Sequence, residues 1–108
     1  MKIGIPSNDE KNIFPRTGTA RGFMVYHTEG KEIKRRYYRV LPAHLRHKDG
    51  EDESHDHTHK DLVEFLNECD IVLVRNIGKF LKRDFINSDL NYKLVKGDDL
   101  NEIIQNYL

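Results

Sequence analysis

The chain has 108 residues, 37% hydrophobic and 33% charged, with a formal net charge of zero. That size supports one modest core, the neutral balance names no oppositely charged partner, and no apolar run is long enough to span a bilayer. The single cysteine excludes both an internal disulfide framework and a cluster held by four cysteines of one chain, and it fits a reducing cytoplasm.

In chain order, Lys2–Pro6 reads as a strand, without the apolar stretch of a signal peptide. Ser7–Asn12 is a polar, turn-rich segment, and Phe14–Gly22 is a loop carrying Pro15, Gly18 and Gly22. Phe23–His27 is a second strand, with His27 expected at the surface. Thr28-Glu29-Gly30-Lys31 is a hairpin turn, and Glu32–Leu41 is a polar third strand ended by Pro42. Lys60–Glu68 is expected to be helical, since Leu62, Phe65, Leu66 and Cys69 recur at helical spacing. Ile71–Val74 is a continuous apolar run, the pattern of a central strand buried on both faces. Lys79–Phe85 is a helix and Tyr92–Val95 a fifth strand. A last helix carries Leu100, Ile103, Ile104 and Tyr107, with Asp99 and Glu102 spaced as a capping box.

The order β-β-β-α-β-α-β-α predicts an α/β chain in which a three-stranded meander is followed by two crossovers, giving a five-stranded mixed sheet with helices on its faces. Residues 1–108 are expected to form a single domain. Three loops then leave the same end of the sheet: Ser7–Gly22, Pro42–His59 and Arg75–Lys79. If strands 1 and 4 are neighbours, the first and last of these flank a topological switch point, where open α/β sheets bind ligands.

Five of the six histidines lie in one stretch: His44, His47, His55, His57 and His59. This His- and acid-rich loop, at about 43–59, offers imidazoles at every second position after an acidic run. In an extended chain alternate side chains point the same way. His47, His55, His57 and His59 are therefore candidate ligands for a divalent ion such as zinc, nickel, copper or iron. A solvated polar loop is the competing reading.

Other candidates lie in the first loop and after strand 4. Arg16, Thr17, Gly18 and Arg21 suit an anion: the arginines supply charge-assisted hydrogen bonds, while Gly18 and Gly22 permit positive φ or close backbone approach. Asn76 and Gly78 precede a helix start with free N–H groups. Cys69 lies on an apolar helix face and reads as a packed small hydrophobe. No nucleophile–base spacing is present, and strand 1 presents Ile3 and Ile5 where metal-dependent nuclease chemistry needs carboxylates. We therefore expect a protein that is not an enzyme. Lys34-Arg35-Arg36-Tyr37-Tyr38-Arg39 mixes cations and aromatics as nucleic-acid surfaces do. The adjacent acids and zero net charge make nucleic acid an unfavoured partner, and the cations also suit a solvated edge strand that resists aggregation.

Met1-Lys2-Ile3-Gly4-Ile5-Pro6, the segment Ile13-Phe14-Pro15-Arg16-Thr17-Gly18-Thr19-Ala20-Arg21-Gly22-Phe23 and the run Asp70-Ile71-Val72-Leu73-Val74-Arg75-Asn76-Ile77-Gly78 together resemble the dinitrogenase iron–molybdenum cofactor biosynthesis family, the NifX/NafY-like group. The resemblance covers nearly the whole chain. It implies a ribonuclease H-like fold and a cytoplasmic accessory protein that binds or carries an iron–sulfur or iron–molybdenum type cluster, with a protein partner in cofactor assembly. The family's loop often reads Pro-His-Phe-Gly-Arg-Ala. Here it reads Pro15-Arg16-Thr17-Gly18-Thr19-Ala20, so the glycine and alanine match while Arg16 replaces the histidine that is a plausible cluster ligand. Two alternatives stand beside this reading: a divalent-metal binder using the histidine loop, and an interaction module for protein or nucleic acid without a cofactor.

Overall fold

The computed structural model of the chain describes residues 1–42 and 62–108. The histidine loop, with His47, His55, His57 and His59, lies outside the described residues. Strands β1 (Lys2–Ser7), β2 (Gly22–Glu29) and β3 (Glu32–Val40) form the meander. Then follow α1, helical at residues 62–65, β4 (Ile71–Val74), α2 (Lys79–Asn87), β5 (Tyr92–Leu94) and α3 (Leu100–Tyr107).

The five strands form one sheet in the order β3-β2-β1-β4-β5. β1 pairs antiparallel with β2, Ile5 opposite Met24, and parallel with β4, Ile3 opposite Ile71. β4 pairs parallel with β5. The sheet is thus mixed, and β1 is the strand at which pairing changes sense. Gly30 turns the β2–β3 hairpin with φ of 60°, a value glycine adopts without steric cost.

Alternation along the strands sorts the core into two layers. On one face Phe23, Val25, Val72 and Val74 meet Leu62 and Leu66 of the α1 segment and Leu81 and Phe85 of α2. On the other, Ile3, Ile5, Met24, Tyr26 and Leu73 meet Leu100, Ile103 and Ile104 of α3. β4 is covered on both faces, which is why its sequence is an unbroken apolar run. Each such fully buried side chain contributes about 1.5–3 kcal/mol. Asp99 caps α3 by accepting from the Glu102 N–H at 3.1 Å, as the spacing of the two residues predicts.

Most element ends shift by one or two residues from the sequence reading, and two further details differ. The helix expected to reach Glu68 is helical only to residue 65 and continues as a turn over 66–68. Arg39 of β3 accounts for this: its guanidinium donates to the Phe65 carbonyl at 3.2 Å, pairs with Glu68, and stacks 4.1 Å from the Phe65 ring centre. A carbonyl bound from outside marks the helix end. His27, expected at the surface, is half-buried there, its ring centroid 5.4 Å from that of Tyr37.

Candidate functional site

Because β1 and β4 are parallel neighbours, the segments leaving their C-terminal ends emerge side by side. The first loop is tied down at its start. Ser7 is fully buried and donates its hydroxyl to the Asn12 carbonyl at 2.6 Å. Asp9 accepts from the N–H groups of Lys11 at 2.9 Å and Asn12 at 2.8 Å, and from the Asn12 side chain at 3.0 Å. These bonds, led by the Asn12 side chain, hold the Asp9 carboxyl well below the usual carboxylate range. Asn8 accepts from the Arg21 N–H at 2.7 Å, which closes the loop on itself.

The far part of the loop meets the β4–α2 turn. Arg16 and Asn76 form an isolated parallel bridge. Thr17 begins a single 3-10 turn, Thr17–Thr19, and is 2% exposed. Its hydroxyl donates to the Asn76 carbonyl at 2.7 Å. The Arg16 carbonyl accepts from the Thr19 N–H at 2.9 Å, so Arg16 leaves the turn with an exposed side chain. The structure therefore brings Arg16 and Thr17 against Asn76; Gly18 follows in the 3-10 turn and Gly78 lies two residues beyond Asn76 at the α2 N-cap. Arg21 is exposed where the same loop enters β2.

The glycines divide by role. Gly18 sits within the 3-10 turn and is not among the residues with positive φ. Gly22 is required by close approach: a Cβ there would fall 2.5 Å from the Arg39 carbonyl oxygen and 2.6 Å from the Tyr38 ring. Tyr38 is held over it by donating to the Ser7 carbonyl at 2.7 Å. Gly78 caps α2 without a side-chain hydrogen bond, and a Cβ there meets nothing within 4 Å. The first helical bond of α2 runs from the Lys82 N–H to the Gly78 carbonyl at 2.8 Å, so the amides of residues 79–81 precede the intrahelical ladder. The first turn carries no acidic residue. This end of the sheet thus offers guanidinium groups and unladdered N–H groups, the donors that suit an anion.

Arg75 is a feature that sequence reading missed. It donates to the Gly97 carbonyl at 3.0 Å and to Asp98 at 2.5 Å, tying the β4 end to the loop before α3. Ser7 and Asp9 were missed as well, although a short polar residue two positions before Asp in a turn-rich stretch signals side-chain-to-backbone bonding.

The donor set bears on metal ligation as well. Among the described residues no group of three or more His, Cys, Asp or Glu side chains is placed to hold a metal ion. Cys69 is buried, and burial pushes its thiol up to about 11. It packs against β1, where a Cβ on Gly4 would lie 3.0 Å from its Sγ. Direct ligation of iron by side chains of this crevice does not fit the described residues, whereas contact with an anionic cargo does. The cations and aromatics of the β3 strip, weighed above for nucleic acid, are engaged in part. Lys34 pairs with Glu29 and Glu32, Arg39 with Glu68, and Tyr38 is hydrogen-bonded across Gly22. Among the described residues, no helix is long and apolar enough to cross a membrane.

The fold and this crevice define an α/β protein whose mixed sheet changes sense at β1, with two loops locked together beside a helix N-terminus. The chain belongs to the family described as dinitrogenase iron-molybdenum cofactor, whose model matches residues 1–108. Among solved structures it is similar to PH0822, with 21% identity, a TM-score of 0.77, and 99% of this chain and 88% of that one covered. A protein of Methanocaldococcus jannaschii provisionally described as a dinitrogenase gives 16% identity and a TM-score of 0.70, over 99% of this chain and 86% of that one. A protein of Thermotoga provisionally described as NifB gives 16% identity and a TM-score of 0.65, over 98% and 85%. At these identities the likeness speaks for the fold alone. No curated protein matches the chain.

Proposed function

We propose that the chain is a non-enzymatic, cytoplasmic accessory protein that binds or carries an iron-containing cluster of the iron–sulfur or iron–molybdenum type, and that it works with a protein partner in cofactor assembly. Family membership supports the cargo, and the strand order β3-β2-β1-β4-β5 supports reading the fold as ribonuclease H-like. One observation carries the placement of the site: the Arg16–Asn76 bridge, reinforced by the Thr17 hydrogen bond, sets Arg16 beside the N-terminus of α2. The cluster is held there as an anion. Arg16 and Arg21 supply charge, and the amides near Gly18 and Gly78 supply N–H donors. Thr17 and Asn76 act by holding the two loops together, since the Thr17 hydroxyl proton is already engaged.

Anaerobic titration of the tag-free protein with iron–sulfur and iron–molybdenum donors tests this reading, followed by cluster absorption and by iron and molybdenum analysis. Uptake of a cluster is the expected result. Uptake of zinc or nickel but no cluster, lost in the His55→Ala/His57→Ala/His59→Ala variant, would transfer the function to the histidine loop.

A further inference from the structure

The outer edge of β3, unpaired among the described residues, is a second surface, independent of the crevice. β3 is nine residues long and forms one end of the sheet. The Leu41 N–H donates to the Arg21 carbonyl at 2.8 Å, which makes 21 and 41 a hydrogen-bonded pair. Such pairs alternate along an antiparallel ladder. With the observed register, Phe23–Arg39, Val25–Tyr37 and His27–Arg35 are then the bonded pairs. Arg36, Tyr38 and Val40 consequently turn their N–H and C=O groups away from β2. Among the described residues no strand pairs with that side.

Charge and side-chain engagement select what fits this edge. β3 carries Lys34, Arg35, Arg36 and Arg39 against one acid, Glu32. Among the described residues neither Arg35 nor Arg36 has a carboxylate partner: Arg35 lies over the Tyr37 ring and Arg36 donates to Asn101. A second copy of β3 would set these cations against their like, which is unfavourable. Single-stranded nucleic acid needs free aromatic faces, but Tyr38 is fastened over Gly22 and Tyr37 packs against His27. Among the described residues, this edge offers backbone hydrogen-bonding groups, cationic side chains on both sides, and an apolar residue at one end, Val40, which is 69% exposed.

The geometry points to β3 as a docking edge for an extended acidic segment of a partner protein, added as a sixth strand. Main-chain bonds to Arg36, Tyr38 and Val40 supply register, carboxylates meet Arg35 and Arg36, and an apolar side chain meets Val40.

The test uses the full chain, isotopically labelled, and a short capped peptide of alternating glutamate and valine. Controls are the same peptide with lysine for glutamate, one interrupted by proline, and a single-stranded oligonucleotide. The expected result is new protection from hydrogen exchange at the Arg36, Tyr38 and Val40 amides on adding the acidic peptide. Binding should weaken about tenfold in the Arg35→Glu/Arg36→Glu variant, as for a charge-complementary contact. Val40→Pro should weaken it as well, because it deletes one outward donor while leaving the β2–β3 ladder intact. A thermal melt of each variant separates lost binding from lost folding. The proposal is overturned by no binding, by equal binding of the lysine or proline peptide, or by the oligonucleotide protecting the same amides. Protection of those amides in the peptide-free protein, or self-association through β3, would overturn it equally.

Discussion

Thr17 and Asn76 stand 59 positions apart, yet the buried Thr17 hydroxyl donates to the Asn76 carbonyl at 2.7 Å and fastens the first loop to the β4–α2 turn. Thr17→Val keeps the shape and removes the donor. A lost hydrogen bond of this kind costs about 1 kcal/mol, which corresponds to a melting-temperature fall of roughly 4–8 °C for a chain of this size. Thr17→Ser should retain most of the stability. Differential scanning fluorimetry of both variants checks the contrast.

Gly22 and Gly78 should answer alanine substitution in opposite ways. At Gly22 the new Cβ meets the Arg39 carbonyl and the Tyr38 ring, so strands β2 and β3 must separate locally. Overpacking of this sort costs about 1–3 kcal/mol. At Gly78 the Cβ meets nothing and φ is −68°, so the entropic gain of alanine is offset by its poorer N-capping and Gly78→Ala should leave the urea midpoint little changed.

Gly4 and Cys69 are coupled through the 3.0 Å approach that a Cβ on Gly4 would make to Sγ. Gly4→Ala should destabilise the protein, and adding Cys69→Ala should recover part of the loss, giving a favourable coupling energy in a double-mutant cycle. Cys69 should resist alkylation in the folded protein at pH 8, because burial holds its thiol up at about 11 and leaves little thiolate.

Asp9 links loop order to pH. Its carboxyl titrates below the usual range in the folded protein because the folded loop bonds the charged form. A lowered pKa stabilises the folded state at pH values above the ordinary carboxylate pKa of about 4, and that contribution is lost as pH falls through the folded value. The stability gap between the wild type and Asp9→Ala should therefore be widest near neutral pH and narrow in acid. Urea melts across that range measure it.

Much of the fold was legible in the sequence because it rests on local signals. The unbroken run Ile71–Val74 announced a strand covered on both faces, Gly30 the hairpin, and Asp99 the start of α3. The expected flanking of a switch point by the first loop and the 75–79 segment follows from β1 and β4 being neighbours. What was hidden depends on partners distant in sequence. Thr17 reads as an anion-binding candidate until Asn76 is set against it and takes its hydroxyl proton. The sequence left Gly22 open between positive φ and close approach, and only the register that places Tyr38 over it decides. The early end of α1 comes from Arg39, an edge-strand residue whose reach no helical periodicity encodes.

The central claim is that the crevice holds an anionic cluster by charge and backbone donors. Anaerobic titration of wild type and Arg16→Ala with the same iron–molybdenum cofactor preparation tests it most directly, with melting temperatures measured alongside. Loss of one charge-assisted contact predicts about a ten- to hundredfold weaker uptake in Arg16→Ala. The melting temperatures separate lost uptake from lost folding, since the bridge to Asn76 is made by backbone and survives the substitution. Uptake by Arg16→Ala equal to that of the wild type, or no uptake by the wild type, would contradict the account.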